Sequence, residues 1–226
     1  MRRGLVVAGL ILLALLWGGP LMRASHQDFA AHMAVHMGLV AVVAPLLAAG
    51  IAGTRFDLSD RHPLIFGPLI ASAAELVTVW GWHLPALHAA ARTDALAHAA
   101  EQASFLAVGL WVWTACLGHG LAGGEKDGRS RRAALGTVGL LLTSMHMTLL
   151  GALIAFAGRP LYTHGLAGLH GTGVDPAQLI ADQQVGGVIM LLGGGLAYLI
   201  GGVALMARLF RDAGAFRDTR HGRTTP

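Results

Sequence analysis

Charge interrupts this chain too rarely for it to fold as a water-soluble domain. Six apolar segments, at about 4–22, 31–53, 64–83, 95–118, 133–157 and 183–209, each approach or exceed the roughly 20 residues that cross a bilayer core as a helix. The composition agrees: 54% of residues are hydrophobic and 12% are charged, about half the charge share of an ordinary soluble domain. The mean hydropathy is +0.60. The 32 glycines suit close helix packing in lipid. The expected fold class is therefore all-α: an integral membrane bundle of six transmembrane helices in one domain over residues 1–210. A polar, disordered cytoplasmic tail is expected at 211–226.

The turns between segments carry the charges, as in "GTRFDLSDRHP" at 53–63 and "GGEKDGRSRR" at 123–132. Of the 16 lysines and arginines, only Arg23, Arg92 and Arg159 fall on the outer side if the N-terminus is inside. That bias predicts an N-in, C-in topology with an even number of spans. The formal charge of +4 is thus a matter of placement and no signal of nucleic-acid binding. "MRR" followed by a short apolar run has the look of a signal peptide, but "GGPLMRASHQ" offers a weak cleavage site, and a retained helix is expected. With Cys116 as the sole cysteine, an intramolecular disulfide and a CxxC site are both excluded.

Under this topology the 12 histidines sort by depth. His32 and His36 occupy the outer turns of the second span. His83 ends the third, His88 lies in the loop beyond, and His98 begins the fourth. His146 lies near the middle of the fifth span, and His26, His164 and His170 fall in outer loops. Only His62, His119 and His221 fall inside. His32 and His36, at i and i+4, share a helix face. Met33 and Met37 sit about 100° further round. His98, Glu101, Gln102 and Phe105 share one face of the fourth span. Asp182, Gly186 and Gly193 form a stripe on the sixth, with Met190 at its edge.

Imidazole and thioether together suit copper, and thioether selects Cu(I). Zinc would accept the histidines but has little use for methionine. The candidate metal ligands are therefore His32, His36, Met33, Met37, His83, His98 and His146. Glu75, Glu101 and Asp182 are the carboxylates that would orient them or take up a released proton. Glu75 lies in mid-span, where an ionisable group is costly and marks function by default, and a hydrogen bond to a neighbouring Ser or Thr is expected for it. Plainer roles go to the rest. His26, His88, His164 and His170 read as interfacial residues meeting water or headgroups. Met145, Met147 and Met190 read as packing. Trp17, Trp80, Trp82, Trp111 and Trp113 read as interfacial anchors, and Cys116 as inert packing. Pro45 removes a donor from the second span, frees the carbonyl of Ala41 and predicts a kink.

Five stretches resemble one family in the family's order: "HMAVHMGLVAVVAPLLAAG" at 32–50, "WHLPALH" at 82–88, "HAAEQASFLAVGLWVW" at 98–113, "MHMTLLGALIAFAGRPLY" at 145–162 and "DQQVGGVIMLLGGGLAYL" at 182–199. The set resembles the CtaG family of membrane proteins, associated with assembly of caa3-type cytochrome c oxidase, from residue 30 to about 210. The chain departs from the family in having Glu101-Gln102 where relatives tend to show Glu-His, and Pro45-Leu46 where they often show two prolines. It is also shorter than many members. The resemblance implies an assembly role for a haem-copper oxidase of the respiratory chain, in the supply or insertion of copper.

The leading expectation is thus a non-enzymatic, copper-handling assembly factor of the cell (inner or plasma) membrane. Its metal cluster lies on the outer, periplasmic side, and its partners are membrane lipid, oxidase subunits and other copper chaperones. Two alternatives stand beside it. One is a haem-b electron carrier with His83 and His98 as axial ligands. The other is a transporter of copper or another metal through Glu75 and His146. The sequence has no paired nucleophile and base, phosphate loop or HExxH motif, so an enzyme is not expected.

Overall fold

In the computed structural model every regular element among the described residues is a helix; these residues are all but 1, 58, 60, 61, 63, 64, 118–125, 163–174 and 222–226. The elements are α1 (Arg2–Gly18), α2 (Pro20–Ser25), α3 (Phe29–Met37), a π-helical segment (Gly38–Val43), α4 (Ala44–Ile51), α5 (Pro68–Trp82), α6 (Pro85–Thr93), α7 (Ala95–Leu117), α8 (Lys126–Ala155) and α9 (Pro176–His221). Among the described residues, four stretches are long and apolar enough to cross a membrane: Phe29–Ile51, Ala95–Leu117, Ser130–Ala155 and Pro176–Arg211. The other two expected spans are shorter, α1 with 17 residues and α5 with 15. Gly19 followed by Pro20 ends α1 early and starts α2, since proline at the first helical position is favoured and lacks only a donor that would be idle there. Pro85 does the same after His83, so the outer loop that was expected to hold His88 is the short helix α6. The helix α9 runs on to His221, into the stretch expected as a tail. His119, His164 and His170 lie outside the described residues, as does the side chain of His221.

The outside of the bundle is apolar, and the inside holds buried polar and ionisable groups within an apolar core. Val77, Leu149, Leu153, Leu196 and Ile200 are exposed, whereas His32, His36, Glu75, Glu101 and Gln102 are buried. A surface of this kind is stable where lipid is the solvent.

The continuous rod α3–π–α4 is the hub. Along it, α7 and α9 run in the same direction and α1 in the opposite one, while α5 packs on α7 and α8. Arg2 Nη1 donates to the Ala52 carbonyl at 2.9 Å, fixing the start of α1 at the α4 end. Glycines set the closest approaches. A Cβ on Gly151 of α8 would lie 2.5 Å from the Leu191 nitrogen, and one on Gly187 of α9 would lie 2.5 Å from the Ala155 nitrogen, so α8 and α9 are in backbone contact. On another face of α9, Gly186 and Gly193 receive Met33 and Met37 of α3. The expected stripe on the last span is therefore real, and it is filled by Phe29 and Met33 at Gly186 and by Met37 at Gly193.

The mid-span feature of the rod differs in register from the expected kink. The Ala44 N–H bonds to the Leu39 carbonyl, an i to i+5 link. In that register the partner of the Val40 carbonyl would be Pro45, which has no N–H. The freed carbonyl is therefore that of Val40, where a plain α-helix would have freed Ala41. It is not left bare: the Trp113 indole donates to it at 2.8 Å and the Tyr198 hydroxyl lies 3.4 Å away. Trp113 is thus a buried partner of the π-segment, stacked on Tyr198 with ring centroids 5.1 Å apart, and not an interfacial anchor.

Candidate metal site

At the end of the bundle where α3 begins, histidines converge in tiers. His32 and His88 meet edge to face with ring centroids 5.2 Å apart. One turn deeper, His36 and His83 lie 5.6 Å apart, with Phe105 against the His36 ring at 3.8 Å. Outside both, His26 and His98 lie 4.6 Å apart. The i, i+4 spacing of His32 and His36 produces the stacking: each imidazole on α3 faces a partner from the α5–α6 corner.

Glu101, fully buried on α7, joins two tiers. Its Oε1 is 3.4 Å from His32 Nε2 and its Oε2 is 3.6 Å from His98 Nδ1. Neither approach is aligned as a hydrogen bond, and Gln102 Nε2 reaches the same carboxylate at 3.4 Å. His32, His88 and Glu101 each offer one ligand atom, and the three atoms lie within 4.8 Å of one another. Across the tiers, His32 Nδ1 and Nε2, His36 Nδ1 and Nε2, His83 Nε2, His88 Nδ1, His98 Nδ1 and Glu101 Oε1 are buried without a hydrogen-bond partner. Buried polar atoms are nearly always paired, and this concentration of exceptions makes the cluster the candidate site. His83 Nδ1 is spoken for by the Val79 carbonyl at 2.6 Å, which leaves Nε2 pointing free. Burial, with the neighbouring His32 second, pushes the His88 imidazole down to about 2, so it stands neutral with a lone pair to give.

The walls come from neighbouring segments. Phe29 and Tyr162 stack at 4.5 Å, and Tyr162 lies 4.5 Å from the His88 ring while donating to the His83 carbonyl at 3.1 Å. Burial raises the Tyr162 phenol, keeping it a donor. Asp182 and Gln183 hold these walls. Both oxygens of Asp182 accept backbone N–H groups at the start of α3, from Phe29 at 2.6 Å and Ala30 at 3.1 Å. A carboxylate at a helix N-terminus satisfies orphan donors and favours the dipole. Asp182 thus acts on His32 through the backbone of α3, and the expected link to an imidazole is replaced by this cap. Gln183 accepts from the Leu161 N–H at 2.7 Å and donates to the Ile154 carbonyl at 3.3 Å, fixing the segment that carries Tyr162.

The remaining candidates lie elsewhere. Met33 and Met37 point into the glycines of α9. His146, on α8, is buried with both nitrogens unpartnered, but its atoms do not join the converging group. Glu75 lies about 12 Å down α5 from His83, at 1.5 Å per residue, where the Tyr198 hydroxyl bonds its Oε1. Tyr198 joins the expected threonine there: Thr143, whose hydroxyl donates to Ser72 at 2.9 Å, also stands against the Glu75 carboxyl. His88 is what sequence reading missed. Its signal was Pro85: a helix starting there puts His88 and Ala91 on one inward face, and both are buried.

No curated protein and no solved structure matches this chain. The family model described as cytochrome c oxidase caa3 assembly factor (Caa3_CtaG) matches residues 1–212, extending the resemblance back through α1. The chain therefore belongs to the caa3-type cytochrome c oxidase assembly factor family.

Proposed function

We propose that this protein is a non-enzymatic membrane factor that binds copper as cargo at His32, His88 and Glu101 and passes it toward a haem-copper oxidase. The observation that carries this reading is the convergence of two imidazoles and a carboxylate within 4.8 Å, amid buried nitrogens that lack partners. Two nitrogens and one oxygen leave coordination positions open, as an ion that must leave again requires. His36 and His83 form the next tier inward and could accept the ion from the first. Imidazole serves copper and zinc alike; copper is favoured because the family's client is an oxidase with copper centres. The Lys and Arg distribution supports six N-in, C-in segments, which puts the histidine end on the outer, periplasmic face of the cell membrane. There the partners would be oxidase subunits or other copper carriers.

The test is metal content after copper(I) loading under reducing conditions, in full-length protein purified without a His-tag. Wild type should retain copper that the His32→Ala, His88→Ala double variant loses from this site, with affinity falling at least about 100-fold. Wild type that retains none would overturn the reading. A Soret band in the purified protein would move the assignment to a haem carrier.

A further inference from the structure

The thioether expected at the histidines is present, but on a different residue. Met22, on the short helix α2, places its Sδ 3.5 Å from His98 Nε2. Bonds of about 2.0–2.1 Å to nitrogen and about 2.3 Å to sulfur put those two atoms about 3.5 Å apart on one tetrahedral ion. The other nitrogen of the same ring, His98 Nδ1, faces Glu101 Oε2 at 3.6 Å. An imidazole with one nitrogen toward a soft donor and the other toward a carboxylate has the arrangement of a metal-bound histidine. The His26 ring lies 4.6 Å from the His98 ring and is exposed, which opens this corner to the outside. The segment is also tied down. The Ser25 hydroxyl reaches the Met22 carbonyl at 2.7 Å and its sulfur at 3.5 Å, and Arg92 of α6 donates to the Ser25 carbonyl. A methionine that only fills space has no need of its sulfur aimed at an imidazole nitrogen.

We propose that Met22, His98 and His26 form an outer receiving station for monovalent copper, joined through Glu101 to the buried site. This rests on the reading of His32, His88 and Glu101 given above and adds the step before it. The donors Met22, His98 and His26 are a thioether and two imidazoles, a set that selects Cu(I) over zinc. The three carry no compensating charge when neutral, so Glu101 supplies it. Its two oxygens face His98 Nδ1 and His32 Nε2, so one carboxylate stands behind the imidazole of the station and against an imidazole of the buried site.

The experiment loads full-length protein in detergent with copper(I) under anaerobic, reducing conditions and measures stoichiometry and X-ray absorption. Wild type is compared with Met22→Leu, which keeps the volume and apolarity of the side chain, and with the His32→Ala, His88→Ala variant. The station predicts two ions in wild type and one in Met22→Leu, with loss of a copper–sulfur shell at about 2.3 Å. It also predicts that the double histidine variant keeps one ion and that shell. A Met22→Leu protein with wild-type stoichiometry and an unchanged spectrum would overturn the station while leaving the buried site standing. Copper retained by none of the three would overturn both.

Discussion

Two buried polar clusters lie along one rod of helix and treat their polar atoms in opposite ways. In the lower one, the Val40 carbonyl is met by Trp113, Glu75 Oε1 by Tyr198 and Ser72 by Thr143. Of these groups, Glu75 Oε2 is left over. In the upper one, His32, His36, His83, His88, His98 and Glu101 are packed together with most of their buried ring nitrogens unpaired. Both sit in the same apolar bundle, and each bears a desolvation penalty. The lower cluster offsets it inside the chain and so reads as structure. The upper cluster leaves it standing, which is tolerable when an incoming ion supplies the missing interactions.

The sharpest way to break this contrast is Glu101→Gln. The amide keeps the shape but loses the charge facing both His32 and His98, and copper affinity should drop about 10–100-fold in an equilibrium competition with a chromogenic copper(I) chelator. Unchanged affinity would remove Glu101 from the cargo path. Tyr198→Phe probes the other cluster. It strips Glu75 Oε1 of its donor and should cost about 1–2 kcal/mol in thermal unfolding of the detergent-solubilised protein, with copper stoichiometry unchanged. Lost copper with intact stability would reverse the roles assigned to the two clusters. The smallest effect belongs to Met33→Leu, a volume-conserving swap against Gly186 that should cost less than about 1.5 kcal/mol and leave copper binding as it was. A clear loss of copper there would return Met33 to the ligand set.

Periodicity made much of this legible. The i, i+4 histidines, the inward face of α7 from His98 to Phe105 and the glycine stripe of α9 all follow from 3.6 residues per turn, and each lies where that arithmetic puts it. What periodicity could not supply was rotation between helices. Met33 and Met37 flank the histidines in sequence, yet the approach of α9 turns them toward Gly186 and Gly193. Asp182 looked like an orienter of imidazole and caps α3 instead, because that helix begins beside it with unpaired N–H groups. Met22 and His88 were hidden for different reasons. His88 sits just after a proline that opens a short helix, and a short helix reads as loop; Met22 closed the first expected span, which held no candidate ligand.

The π-segment has a consequence for how this site could change over time. A π-turn holds one residue more than the α-turn it replaces, so it works as a phase shifter of about 100° in the middle of the rod. Above it, α3 sets the heading of the imidazoles; below it, α4 keeps its packing on α1 and α7. Gaining or losing a single residue between Gly38 and Val43 would therefore re-aim the histidine half while the lower half held its bearing, making the histidine end a separately adjustable part of an otherwise fixed frame.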